Sequence, residues 1–153
     1  MKKLLAALLT LFLPVLMFGV EAEEKASGGV VEFVESYIAE FNQRKLLNKF
    51  FHYPHVWLVG SDATPITVTD VDEPVVDYEK LTEMGWHYSN INELKVIYES
   101  EERAFVTLDF SRINALEEEI LRSTVLYTIT KLDGAWGFAI MASVSPFIMR
   151  RLE

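Results

Sequence analysis

Residues 121–144 read LRSTVLYTITKLDGAWGFAIMASV, and their pattern decides the fold. Val125, Tyr127 and Ile129 alternate with Thr124, Thr128 and Thr130, the period-two signature of a strand with one apolar and one threonine-rich face. Asp133-Gly134 separates this run from a second β-rich run, Ala135 to Val144. Asp-Gly in that position is a strong hairpin signal, because both turn residues must tolerate positive φ. Upstream, Val106, Leu108 and Phe110 alternate with Thr107, Asp109 and Ser111 inside a run from Arg103 to Ile113. Asn92 to Glu99 is a fourth strand candidate, with Ser100-Glu101-Glu102 and Asn114 to Glu118 as connections. The expectation is a four-strand antiparallel meander with one face covered.

The cover must come from earlier in the chain. Val30, Phe33, Val34, Tyr37, Ile38 and Phe41 fall at helical spacing and form one wide stripe. Lys45 to Phe51 reads as a short second helix with Leu46, Leu47, Phe50 and Phe51 facing the core, ended by Tyr53-Pro54. His55 to Val59 is expected as a strand closed by Gly60-Ser61-Asp62, and Ile66 to Thr69 as another after Thr64-Pro65. Asp70 to Pro74 has the character of a helix start, with the helix running to about Met84 and ending at Gly85. The fold class is therefore α+β, a curved antiparallel sheet wrapped around three amino-terminal helices.

The first 22 residues are set apart. Lys2 and Lys3 precede an apolar stretch from Leu4 to Phe18, and Val20-Glu21-Ala22 offers a cleavage site. The stretch is broken by Pro14 and falls short of the roughly 20 residues that span a bilayer, so a signal peptide is expected, with an uncleaved anchor as the competing reading. Cleavage leaves Glu23 to Glu153, and removal of Lys2, Lys3 and Glu21 leaves 12 basic and 22 acidic residues. Such a charge repels phosphate backbones and anionic membrane surfaces, so nucleic acid and stable membrane association are not expected of the exported, periplasmic or secreted product. The absence of cysteine excludes disulfides, thiol nucleophiles and thiolate metal sites. The expected organisation is signal peptide 1–22, leader 23–29 with Ser27 as a helix cap, one domain 30–145 and a tail 146–153.

The order of elements, and the wording of four segments, point to a family. The segments are Phe33-Val34-Glu35-Ser36-Tyr37-Ile38-Ala39-Glu40-Phe41-Asn42, Phe51-His52-Tyr53-Pro54, Gly85-Trp86, and Tyr127 through Leu132-Asp133-Gly134-Ala135-Trp136. Together they resemble the nuclear transport factor 2-like superfamily, and within it the small bacterial SnoaL-like members. The second helix is about one turn shorter than in such proteins, and Ala115-Leu116-Glu117 stands where their turn often contains glycine. The resemblance implies a cone-shaped, cystatin-like α+β roll whose cavity holds a small, largely apolar molecule. It also implies a homodimer through the threonine-rich sheet face. Isomerases, cyclases, dehydratases, carriers and structural dimers share this scaffold, so the resemblance alone names no activity.

In ketosteroid isomerase-like members a helix-one tyrosine donates to an oxyanion, and Tyr37 sits there by resemblance. Their base belongs on the first strand, where this chain has Val56-Trp57-Leu58-Val59, and their second donor falls near Thr128. No catalytic residue is therefore assigned. Asp109, the acid in mid-strand, is expected on the solvent or dimer face with Thr107 and Ser111. His52, His55 and His87 lack the spacing of a metal set and are expected at the surface or in turns, with a histidine base paired to Asp62 or Asp77 left open. No cofactor or metal is expected. The residues expected to line a ligand pocket are Tyr37, Trp57, Trp86 and Tyr127. Three functions compete: small-molecule binding without catalysis, an isomerase-, cyclase- or dehydratase-type enzyme using Asp109 or a histidine, and a structural or partner-binding homodimer.

Overall fold

A computed structural model of the chain describes residues 28–60 and 64–143. The expected signal peptide, the Ser27 cap, residues Ser61 and Asp62 and the tail lie outside the described residues. The elements are α1 (Gly28–Asn42), a 3-10 turn (Asn48–Phe50), β1 (Phe51–Val59), β2 (Ile66–Val68), α2 (Tyr78–Glu83), β3 (Tyr88–Glu99), β4 (Arg103–Ile113), β5 (Glu119–Leu132) and β6 (Ala135–Ser143). Six strands form one sheet in the order β2-β1-β6-β5-β4-β3. β3 to β6 is the expected meander, joined at Asp133-Gly134 by a turn in which both residues have positive φ.

The sheet is curved, but mixed rather than antiparallel throughout: β1 runs parallel to β6, pairing Val56 with Ile140 and Val59 with Ser143. Register shifts interrupt four of the strand pairings, and such bulges bend strands. Alternation decides what points inward. Ala104, Val106, Leu108 and Phe110 of β4 and Val125, Tyr127 and Ile129 of β5 are buried, as expected. They meet Val30, Val34, Tyr37, Ile38 and Phe41 of α1, the helical stripe seen in the sequence. Among the described residues no helix is long and apolar enough to cross a membrane.

Three local expectations are corrected. The second helix is reduced to the 3-10 turn, and β1 begins at Phe51 and continues through Pro54 instead of starting after it. The β1–β6 register shifts between Phe51 and Val56, and a bulge is where a residue without an N–H can sit in a strand. The third helix begins only at Tyr78, where the Asp77 carboxylate accepts from Lys80 N at 3.0 Å. Upstream, Asn48 Nδ2 donates to the carbonyls of Val71 (2.7 Å) and Glu73 (2.8 Å), so these acceptors are used by a side chain rather than by a helix.

Gly137 of β6 lies under the His52 side chain of β1. A Cβ at Gly137 would lie 2.4–2.6 Å from the His52 ring, which is held by Nδ1 to Thr130 Oγ1 at 2.9 Å. Glycine is the one residue that fits there.

Candidate functional site

The cone is largely filled. Phe138 stands at its centre, with ring centroids 4.5 Å from Tyr127, 4.9 Å from Tyr37, 4.9 Å from Phe33 and 5.4 Å from Phe51. On one side of this plug a depression remains between α1 and strands β3 to β5. Its wall is Tyr37, Ile38 and Phe41 of α1, Leu108, Phe110 and Arg112 of β4, Tyr127 of β5 and Ser89 of β3. The two periodicities build it: positions 37, 38 and 41 share a helix face, and 108, 110 and 112 share a strand face. The register sets Ser89 directly across from Arg112 and Tyr127 across from Val106. The space not filled by atoms amounts to about 280 Å³, open solvent at its mouth included.

The wall has a cation at one position and neutral hydroxyls at three. Arg112 is 4% exposed. Burial lowers its pKa, while the neighbouring Tyr37 and Tyr127 hydroxyls act the other way. Guanidinium nevertheless stays charged in proteins. Burial raises the pKa of Tyr37 first, with Tyr78 adding and Arg112 opposing; burial likewise raises Tyr127 well above the usual range. Both phenols are thus neutral at physiological pH. Ser89 is clamped by Asn42, whose Oδ1 accepts from Ser89 N (2.8 Å) and whose Nδ2 donates to Ser89 O (2.9 Å). Trp86 Nε1 donates to Ser89 Oγ at 3.0 Å, and its ring meets Phe41 edge-on at 5.2 Å.

Of the four residues expected in the pocket, Tyr37 and Tyr127 are in the wall, with rings 6.5 Å apart. Trp86 is buried one layer behind it, holding Ser89 and Phe41. Trp57 lies on β1 beside His55, rings 5.1 Å apart, outside the wall. Arg112 and Ser89 were not anticipated. The alternation 106, 108, 110 extended by one step gives 112, so the inward arginine was already implied by the strand pattern.

Among the described residues the wall contains no Asp, Glu or His. Asp109 is on the outer face, as expected, where Arg122 Nε donates to Oδ1 at 3.0 Å and Asn92 Nδ2 to Oδ1 at 2.8 Å; these bonds lower its pKa. Asp77 is the cap of α2 and His87 is exposed. His55 corrects the expectation of surface histidines: it is 1% exposed, because β1 extends through Pro54 and turns position 55 inward. Among the described residues no group of His, Asp and Glu comes together to hold a metal.

A bent sheet wrapped on one long helix, with a small pocket between them, defines the cone-shaped nuclear transport factor 2-like class. The chain belongs to the family described as NTF2-like protein (DUF6841), whose pattern matches residues 23–146. No curated protein matches it. Among solved structures it is similar to an NTF2-like protein of unknown function from Pseudomonas putida KT2440, at 12% identity and TM-score 0.62, covering 84% of this chain and 92% of that one. An NTF2-like protein with a cystatin-like fold from Novosphingobium aromaticivorans is similar at 11% identity and TM-score 0.57, covering 76% and 79%. A putative scytalone dehydratase from the same organism is similar at 17% identity and TM-score 0.51, covering 76% and 80%. At these identities the likeness is one of fold.

Proposed function

We propose that the domain binds a small molecule in the depression between α1 and β3–β5, without covalent chemistry. The observation that carries this reading is the convergence of Tyr37, Ser89, Arg112 and Tyr127 on unfilled space in an otherwise close-packed core. Pockets for drug-sized ligands run to roughly 300–1,000 Å³. At about 280 Å³ with open solvent included, this one suits something smaller. The dehydratase or isomerase alternative draws on the likeness to the putative scytalone dehydratase, but among the described residues of the wall none is a carboxylate or imidazole that would move a proton.

Native mass spectrometry and thermal melts against small aliphatic and aromatic molecules, neutral and charged, test this. At least one is expected to bind saturably and to raise Tm by several degrees at a hundredfold excess over its Kd. Leu108→Phe, which fills the depression, is expected to remain folded and to lose that response. A panel without a saturable binder sinks the reading.

The outer sheet face supports a second copy as partner. Leu58, Ala142, Leu126 and Thr107 lie in one register row across β1, β6, β5 and β4, and Val56, Ile140, Thr128 and Phe105 in the next. Leu58, Leu126 and Ile140 are each more than a third exposed. Such a row of apolar and threonine side chains has the mixed character of a homodimer interface. Sedimentation velocity is expected to show a dimer that Leu126→Glu dissociates; a monomeric parent protein removes the proposal.

A further inference from the structure

Three hydroxyl-bearing side chains reach the depression from three different elements: Tyr37 from α1, Ser89 from β3 and Tyr127 from β5. They are 4%, 4% and 2% exposed, so the depression is the solvent that their oxygens can meet. Burial comes first among the causes that raise the pKa of both tyrosines, neighbouring charge second, and hydrogen bonds play no part. Each is therefore a neutral phenol at physiological pH, with a proton to give and lone pairs to fill. Ser89 Oγ accepts from Trp86 Nε1 at 3.0 Å, which leaves its own proton to give. Arg112 is engaged with its neighbours: its guanidinium lies 5.9 Å from the centroid of the Phe110 ring. Neither of these two residues is counted among the ligand's partners.

Head groups differ in what they can exchange with such a set of hydroxyls. An ammonium only donates, and among the described residues the wall holds no acid to pair with it. A carboxylate or a ketone only accepts, which leaves the lone pairs of the two phenols unfilled. A hydroxyl does both, and a hydrogen bond received strengthens the one given. The net charge of −9 gives the chain a field that disfavours an anionic ligand against a neutral one.

We infer that the ligand of this pocket is a small neutral alcohol or phenol, its hydroxyl exchanging hydrogen bonds with Tyr37, Tyr127 and Ser89 and its apolar body lying against Ile38, Phe41 and Leu108. This rests on the small-molecule reading above and adds the chemical class.

Phenol, anisole and toluene test it, because they share a ring and differ in the head group. Phenol both gives and takes a hydrogen bond, anisole only takes one, and toluene does neither. Each is titrated by NMR into the full chain and into Tyr127→Phe at neutral pH. The variant is expected to bind phenol about three- to tenfold more weakly than the parent does, the margin of one neutral hydrogen bond. Anisole is expected to lose clearly less, and toluene nothing, which also reports that the pocket is intact. Should Tyr127→Phe fail to fold, Tyr37→Phe is read in the same way. Equal losses for phenol and anisole overturn the inference, since the wall then serves an acceptor alone. An unchanged affinity for phenol, or a loss as large for toluene, overturns it too and leaves the pocket reading standing. If none of the three binds the parent, the inference has failed; if no other small molecule binds either, the pocket reading has failed with it.

Discussion

Phe138→Ala is expected to destabilise the domain by about 3–5 kcal/mol, measured by urea denaturation at neutral pH. The cost follows from position rather than from size alone. Phe138 is 1% exposed on β6, paired with Ile129 on one side and with Phe51 across the parallel junction on the other. Its ring touches aromatic neighbours from α1, β1 and β5, with centroids 4.5–5.4 Å away. Removing it therefore takes dispersion contacts from three elements at once, and rigid strands cannot close the gap. Phe138→Leu keeps most of the volume and is expected to cost less than half as much. An alanine variant within about 1 kcal/mol of the parent would mean that the cone is not plugged at its centre as described.

The second large effect is a pH dependence set by His55. Burial pushes its pKa down from 6.5 to about 4, with no charged neighbour contributing, and both ring nitrogens are buried without a hydrogen bond. The sign is fixed by which state takes the proton. Above pH 6.5 both folded and unfolded chains hold a neutral ring, and His55 adds no pH slope. Between pH 6.5 and 4 the unfolded chain is protonated and the folded one is not, so stability falls by up to about 1.4 kcal/mol per pH unit and levels off near pH 4. The accumulated loss is about 3 kcal/mol. His55→Leu removes the titrating group together with two unsatisfied polar atoms. It is expected to raise stability at pH 7 by roughly 1–3 kcal/mol and to flatten the difference between pH 7 and pH 4.5. The comparison is between parent and variant at each pH. Equal pH slopes in the two would place His55 in contact with water.

His55 is not alone in this. Trp57 Nε1 and Tyr53 Oη, on alternate positions of the same strand, are also buried without hydrogen bonds. Native cores rarely leave such atoms unsatisfied. The inner face of β1 therefore carries a stability cost that the aromatic packing must offset, with His55 centroids 4.6 Å from Phe51, 5.0 Å from Tyr53 and 5.1 Å from Trp57.

The sequence by itself determined the meander and the helix that it wraps. Strand β4 has the bounds its alternation implied, β5 and β6 nearly so, and the stripe on α1 is the buried stripe. These features follow from periods of 2 and 3.6, which a chain displays locally whatever surrounds it. The pair Tyr37 and Tyr127 was legible for the same reason. Only the tertiary structure decided the rest. That β1 lies parallel to β6 depends on which distant strand has a free edge, and no residue of β1 encodes that choice. That Asn48 spends its amide on Val71 and Glu73, shortening α2, is a contact across more than 20 residues. How much of the cone stays open was decided by Phe138, Phe51 and Phe50 filling it from three elements, a sum of volumes that no single segment reports. Arg112 stands between these cases. Its inward direction is a matter of strand parity, but its place in a pocket wall beside Tyr37 exists only once α1 has been laid across β4.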